Sequence, residues 1–413
     1  MVKKRLNSTT VFIVILAIIA LLLGYNYYAR PFLRNYPLQY EPELTQEEIE
    51  ARNEYVEEKL SILDAMSQQD KVAQLLAYPY LAHSDDGALS ATTSAQLREL
   101  QPGAITVFGS DVSREAARDQ IQNINTLFAS TQIHPLVAVD HEGGNTQRFS
   151  GDGFLALPSW RELCEYSRED REEVLINSAE EIQSAGVSIV FAPVLDINSS
   201  VLGSRSCANG DSLFQAAQDY IAVFGERGVM SVVKHFPGLR NTTRDLHFDS
   251  DTIVLSDGDS QIFSDILSLF PNIGVMSSHV KLEGLFDETP CSMSQDCLVG
   301  FSESFPLALV FSDALEMEAL SDYAQELVDD FDFITLSQDR VENDPEAAKL
   351  IALSYQAILA GNDILLYGDA VTYDQLMMIR DELAAQSVVN EELNDQIELS
   401  LVKLLAIKKL YRE

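Results

Sequence analysis

The sequence predicts an α/β fold, a (β/α)8 TIM-type barrel preceded by an N-terminal transmembrane helix. Three observations point there. Eight short, nearly continuous apolar runs alternate with amphipathic helical stretches, the mark of parallel strands buried on both faces. Charged residues stand directly after most of these runs, where a barrel gathers its chemistry. Ahead of both, residues 11–29 carry no charge and match the length of about 20 residues that spans a bilayer.

Residues 1–10, with Lys3, Lys4 and Arg5, read as a cytoplasmic basic tail. Residues 11–29 read as an uncleaved signal anchor, because no Ala-x-Ala precedes Arg30 and no lipobox cysteine is present. Residues 30–44, with Pro31, Pro37 and Pro42, form a linker, and 45–413 form the barrel domain. The basic residues ahead of the span place the body of the chain outside the cytoplasmic membrane, anchored in the periplasm or at the cell surface. Ile49, Val56, Leu60 and Leu63 recur at helical spacing, so 45–68 is an amphipathic helix.

The apolar runs are 72–78 (with a start that also suits a helix), 104–108, 136–139, 187–192, 228–233, 273–276, 307–311 and 363–367. Helices are expected over 114–130, 172–185, 213–227 and 347–360, with further helices after Tyr373 closing the barrel or packing beneath it. A doubly wound open sheet is the alternative arrangement.

Lys and Arg number 28 against 64 Asp and Glu, a formal net charge of -36. Such a surface repels nucleic acid and anionic headgroups, which excludes both as ligands. None of the four cysteines shows zinc-finger spacing. Cys291 and Cys297 lie close enough to bridge in an oxidising compartment; four free thiols are the alternative.

The strand ends supply the candidate site. Asp140, Glu142 and Arg148 follow the third run, Asp196 and Arg205 the fourth, Lys234 and His235 the fifth, His279 the sixth, and Ser312 and Asp313 the seventh. Pro237 and Gly238 end the fifth strand and open a loop carrying Asp245 and His247. Residues i and i+2 of an extended segment point the same way, so Asp245 can orient the His247 imidazole for acid/base work. Asp313, held rigidly by its strand, suits a carboxylate nucleophile that forms a covalent glycosyl-enzyme. Asp140, Arg205, Lys234 and His235 are placed to hydrogen-bond sugar hydroxyls and carbonyls.

The motifs Asp140-x-Glu142-Gly143-Gly144, Phe191-Ala192-Pro193-Val194-Leu195-Asp196, Lys234-His235-Phe236-Pro237-Gly238 and Phe311-Ser312-Asp313-Ala314-Leu315 resemble the family 3 glycoside hydrolases. Together with Asp245-x-His247 they resemble its single-domain β-N-acetylglucosaminidase, or β-N-acetylhexosaminidase, branch. The resemblance implies a retaining two-step mechanism with no metal and no cofactor. It makes Asp313 the nucleophile and Asp245–His247 the acid/base pair. It assigns Asp140, Arg205, Lys234 and His235 to the terminal N-acetylglucosamine, with His279 a further histidine of the site. The expected partner is a cell-wall or chitin-type oligosaccharide bearing N-acetylglucosamine, cleaved from its end by a monomer. The sequence departs from the family pattern at Leu239, Arg240 and Asn241, where His-Gly and commonly an acid stand, and at Asn145 and Thr146. The alternatives are a catalytically impaired N-acetylglucosamine-binding protein, a β-glucosidase or a phosphorylase on the same scaffold.

Overall fold

The computed structural model describes residues 61–412 except 84–86, 110, 132, 287–288 and 331–343. Seven parallel strands form one sheet: β1 (Ala77–Leu81), β2 (Ala104–Phe108), β3 (Leu136–Val139), β6 (Ile189–Val190), β7 (Met230–Phe236), β9 (Gly274–Ser277) and β11 (Leu309–Ser312). They pair in that order. Two small accessory ladders stand apart, β4 (His141–Gly143) with β5 (Thr146–Gln147), and β8 (Thr252–Ile253) with β10 (Lys281–Leu282).

Helices fill the connections: α1 (Gln68–Ala73), α2 (Ala91–Leu100), α3 (Arg114–Leu127), α4 (Trp160–Glu165), α5 (Arg168–Ser184), α6 (Gly210–Glu226), α7 (Asp257–Leu269), α8 (Gln295–Ser304), α9 (Ser321–Asp330), α10 (Pro345–Ala360), α11 (Tyr373–Val389) and α12 (Glu391–Arg412). Ser67, Ser90, Ser113, Ser159, Ser167 and Asn209 begin six of them by accepting a backbone N–H of the first turn.

The period of two along each strand sorts the core into two layers. Leu136, Ala138, Met230, Val232, Leu309 and Phe311 face one cluster inside the curve of the sheet. Val137, Val139, Val233 and Val310 face a larger cluster under the helices. Leu404 and Ile407 of α12 join the inner cluster, anchored by a buried Lys403–Asp363 pair at 2.9 Å.

The expected eight-stranded barrel is corrected to this seven-stranded sheet. The eighth run, 363–367, makes only isolated bridges, Ile364 to Phe311 and Leu365 to Leu76. Backbone bonds flank these bridges, Ile364 N–H to Val310 O at 3.1 Å and Leu365 N–H to Leu75 O at 2.8 Å, and side chains take other N–H groups beside them. Asp363 Oδ2 takes the Val310 N–H at 2.8 Å, and Ser312 Oγ takes that of Leu366 at 3.0 Å. The first strand also begins later than expected, because residues 68–73 are helical. The fifth continues through Lys234 and His235 instead of stopping before them.

The basic tail, signal anchor and linker expected over 1–44, and most of the helix expected over 45–68, lie outside the described residues. Among the described residues no helix is long and apolar enough to cross a membrane. The expected membrane anchor therefore has no support in any described helix, and neither it nor the extracytoplasmic placement inferred from it is carried forward. Disulfides join Cys164 to Cys207 and Cys291 to Cys297; the first of these pairs was not expected.

Candidate active site

The same alternation that builds the core aims the chemistry. Asp140 follows Leu136 and Ala138 at spacing two, Lys234 follows Met230 and Val232, and Asp313 follows Leu309 and Phe311. All three continue the inward-facing rows, Asp140 and Asp313 just past the carboxyl ends of their strands and Lys234 within the last residues of β7. At β7 the pairing with β9 gains one residue between Val233 and Phe236, a bulge. Bulges re-aim side chains, and here two successive residues, Lys234 and His235, reach different carboxylates.

Lys234 Nζ lies 2.8 Å from Asp140 Oδ1 and 2.6 Å from Glu142 Oε1. Arg205 grips Glu142 with two bonds, Nε to Oε2 at 2.7 Å and Nη2 to Oε1 at 2.9 Å. Arg148 Nε stands 3.5 Å from Asp140 Oδ2. Burial by itself raises the Asp140 carboxyl, but Lys234 and Arg148 outweigh it and hold it at about 2. Burial likewise opposes the charge on Lys234, and Asp140 and Glu142 more than restore it, so its value is raised. The cluster is therefore fully ionised, two carboxylates against buried cations. Gly143, at a φ of 92°, permits the tight turn between β4 and β5; a Cβ there would collide with Pro158 O.

His235 Nδ1 is 2.7 Å from Asp196 Oδ2. A carboxylate only accepts, so Nδ1 carries the hydrogen and Nε2 is left for a ligand. Asp196 Oδ1 also accepts the Leu239 N–H at 2.7 Å. That bond uses backbone, which leaves the side chain at 239 free to vary. Leu239 instead packs with Leu246, Ile253, Val280, Leu282 and Met317 in a separate apolar cluster, and Arg240 pairs with Asp259 at 3.0 Å. The departure from the family pattern thus becomes the anchor of the following loop.

On that loop His247 Nδ1 meets Asp245 Oδ1 at 2.7 Å, and the His247 N–H donates to the same oxygen at 3.0 Å. Burial raises the Asp245 carboxyl and these two bonds lower it, with a net lowering. Leu246 is buried between them, so the two polar neighbours face outward from an apolar pin.

Asp313 Oδ1 accepts the Ala314 N–H at 2.9 Å. Burial by itself raises its carboxyl, but His279, His235 and the Ala314 N–H outweigh it, so its value is lowered. His279 is fully buried with both nitrogens engaged, Nδ1 with Ser292 Oγ at 2.7 Å and Nε2 donating to Ala314 O at 2.9 Å. Burial lowers its pKa, and its two hydrogen bonds fix the peptide beside Asp313.

Arg205, His235, Asp245, His247 and Asp313 line one cavity of about 40 Å³. Asp140 and Lys234 sit behind Arg205 and do not line it, nor does His279. Glu142 and Asp196 stood among the strand-end residues read from the sequence, but neither was assigned a role there. Their signal was their position two or more residues past a strand, opposite cations on other strands. Among the described residues no group of three or more His, Cys, Asp or Glu could hold a metal ion. Chemically, the arrangement offers an ionised carboxylate facing a histidine held by a second carboxylate, beside fixed hydrogen-bond donors.

His141 has a testable consequence for stability. It is 1% exposed, and burial pushes its imidazole from 6.5 down to about 3. The unfolded chain takes up this proton at higher pH than the folded chain does. Stability is therefore full above 6.5 and falls as pH drops toward 3, by up to ~1.4 kcal/mol per pH unit. His279 acts in the same direction. The urea midpoint is expected to fall between about pH 7 and about pH 5, and His141→Gln to flatten part of that slope. An unchanged midpoint in wild type contradicts the assignment.

Fold and site together define an α/β enzyme that works at the carboxyl ends of its strands. The chain belongs to glycosyl hydrolase family 3: residues 67–398 match the family's N terminal domain. A protein of Shewanella frigidimarina (strain NCIMB 400) named Beta-hexosaminidase is 31% identical over 255 residues, covering 56% of this chain and 72% of that protein. The structure of a β-N-acetylhexosaminidase from Beutenbergia cavernae DSM 12333 superposes with a TM-score of 0.68 at 18% identity, covering 83% of this chain and 99% of that one. That of a family 3 β-N-acetylglucosaminidase from Paenibacillus sp. str. FPU-7 gives 0.68 at 22% identity, covering 84% of this chain and 63% of that one. At these identities the two structures bear on the fold alone.

Proposed function

We propose that the protein is a retaining, exo-acting β-N-acetylhexosaminidase that removes terminal N-acetylglucosamine from cell-wall or chitin-type oligosaccharides. The observation that carries this is the single cavity shared by Asp313 and the Asp245–His247 pair. In the first step the Asp313 carboxylate attacks the anomeric carbon. The bond to the leaving oxygen breaks, and His247 Nε2 gives that oxygen its proton. The imidazole is left neutral. In the second step it takes a proton from water as the water oxygen attacks the same carbon, releasing Asp313. Asp245 steadies the charged form of the ring throughout. Arg205 and His235 Nε2 hold the sugar from the cavity wall. Asp140 and Lys234 act from outside the cavity lining, through Glu142, which fixes Arg205, and His279 positions Asp313 through Ala314. The cavity of about 40 Å³ is far smaller than pockets that enclose drug-sized ligands, so the 239–249 loop moves outward to admit the sugar.

Incubation with a chromogenic N-acetyl-β-glucosaminide is the test. Dye release is the expected result. Folded protein that releases none between about pH 4 and pH 8, the range of carboxyl and imidazole titration, overturns the reading.

A further inference from the structure

Beyond the acid/base histidine the loop carries one more residue that the chemistry above does not use. Phe248 is 77% exposed. Its ring centroid lies 6.4 Å from that of His247, the planes tilted by 49°. The backbone beneath it is braced on several sides. Phe248 N–H and Asp249 N–H both donate to Asp245 O, at 2.9 and 3.1 Å. Arg244 Nη1 reaches Asp249 Oδ2 at 2.8 Å. The N–H groups of Thr243 and Arg244 donate to Asp251 Oδ2 at 2.6 and 3.1 Å, and Ala319 N–H donates to Leu246 O at 3.2 Å. Leu246 is the apolar pin of this turn. The turn therefore holds a large apolar ring in water when its other side chains are mostly polar.

The direction matters. Asp313 lines the cavity from the sheet side, directly after its strand Leu309–Ser312, and His247 lines it from the loop side. A sugar attacked by Asp313 sits on the sheet side of the imidazole. The oxygen that receives the His247 proton joins it to the leaving group, which must extend outward past His247. Phe248 does not line the cavity itself, but it follows His247 directly and its ring centroid is 6.4 Å from the imidazole, which places it beside that outward path. The apolar C–H face of a pyranose covers an aromatic ring and removes both surfaces from water.

We propose that Phe248 is a specificity-determining residue, a platform on which the leaving-group sugar stacks. This deepens the hexosaminidase reading and rests on it. It assigns the outer part of the site to a pyranose leaving group rather than a small or purely anionic one. Because the ring is carried by the same turn as His247, closing the loop brings platform and proton to the leaving group together.

The test compares two substrates of purified full-length protein, di-N-acetylchitobiose, whose leaving group is a sugar, and N-acetyl-β-glucosaminyl fluoride, whose leaving group is an atom. The quantity read is the ratio of their kcat/KM values. Phe248→Ala is expected to lower that ratio roughly tenfold, and Phe248→Trp to keep it within about twofold of wild type. A ratio unchanged in Phe248→Ala overturns the platform while leaving the activity standing. A ratio that falls equally in both variants overturns it too, since aromatic character would then not matter. Wild-type protein that turns over neither substrate overturns the hexosaminidase reading, and this proposal with it.

Discussion

Asp313→Asn is expected to lower kcat by roughly four orders of magnitude or more, the scale seen when a covalent nucleophile is removed. The substitution keeps the shape of the side chain and an oxygen for the Ala314 N–H, which Asp313 Oδ1 accepts at 2.9 Å. It removes only the negative charge that attacks carbon. The surroundings favour that charge, since His279 and His235 hold the carboxyl ionised against burial. Loss of this attraction is partly offset because a neutral amide has less hydration to give up. Thermal unfolding is therefore expected to shift by only a few degrees. Steady-state rates and a melting curve on the same preparation check both halves. A variant that folds and keeps more than about a hundredth of wild-type kcat removes Asp313 from the nucleophile's place.

Glu142→Ala is expected to be the most destabilising single change in the site. Its carboxylate is 1% exposed and lies between Lys234, 3% exposed, and the two-pronged Arg205. Without it two cations face each other with only Asp140 to balance them, and breaking a buried pair in this way costs about 3–5 kcal/mol. Urea unfolding measures the loss. KM is expected to rise as well, because Arg205 loses the partner that fixes its guanidinium at the cavity wall. Glu142 also sets a pH limb. Its folded pKa is lowered, burial being outweighed by Lys234 and Arg205. The stability it contributes is present above the ordinary carboxylate range and lost as pH falls through the lowered folded value. Glu142→Gln should shrink this acid limb. A Glu142→Ala protein within about 1 kcal/mol of wild type contradicts the central role given to the cluster.

Much of this site is legible from strand parity. Leu136, Ala138 and Asp140 form one row, and so do Leu309, Phe311 and Asp313, because successive side chains alternate between faces. The rows needed only an apolar run and a polar residue at its end. Asp245 and His247 were legible as neighbours two residues apart, although they sit on a turn and not on an extended segment, with Asp245 Oδ1 also taking the His247 N–H at 3.0 Å. For Glu142 and Asp196 the partners were not legible. Each acts by meeting a group from another strand, Arg205 and Lys234 in one case and His235 in the other, and no local spacing announces such a meeting. The Cys164–Cys207 link, with a sequence separation of 43, is hidden for the same reason.

The fold expectation went wrong at the eighth run, whose backbone pairing is confined to one isolated bridge on each side. The 363–367 run has the apolar pattern of a strand, yet Asp363 and Ser312 occupy N–H groups that a ladder would use. Pattern reports burial, and residues Ile364 and Leu365 are indeed buried; it does not report which atoms supply the hydrogen bonds. At β7 the bulge shifted the boundary in the other direction, drawing Lys234 and His235 into the strand.

The central claim is that Asp313 becomes covalently bound to the sugar. The direct measurement is to incubate the protein with a 5-fluoro N-acetylglucosaminyl fluoride, which forms the glycosyl-enzyme faster than water removes it, and to map the modified peptide by mass spectrometry. A single added glycosyl group on the peptide carrying Asp313, absent in Asp313→Asn, is the predicted result. Turnover of substrate with the label on another residue, or with no covalent adduct at all, contradicts it.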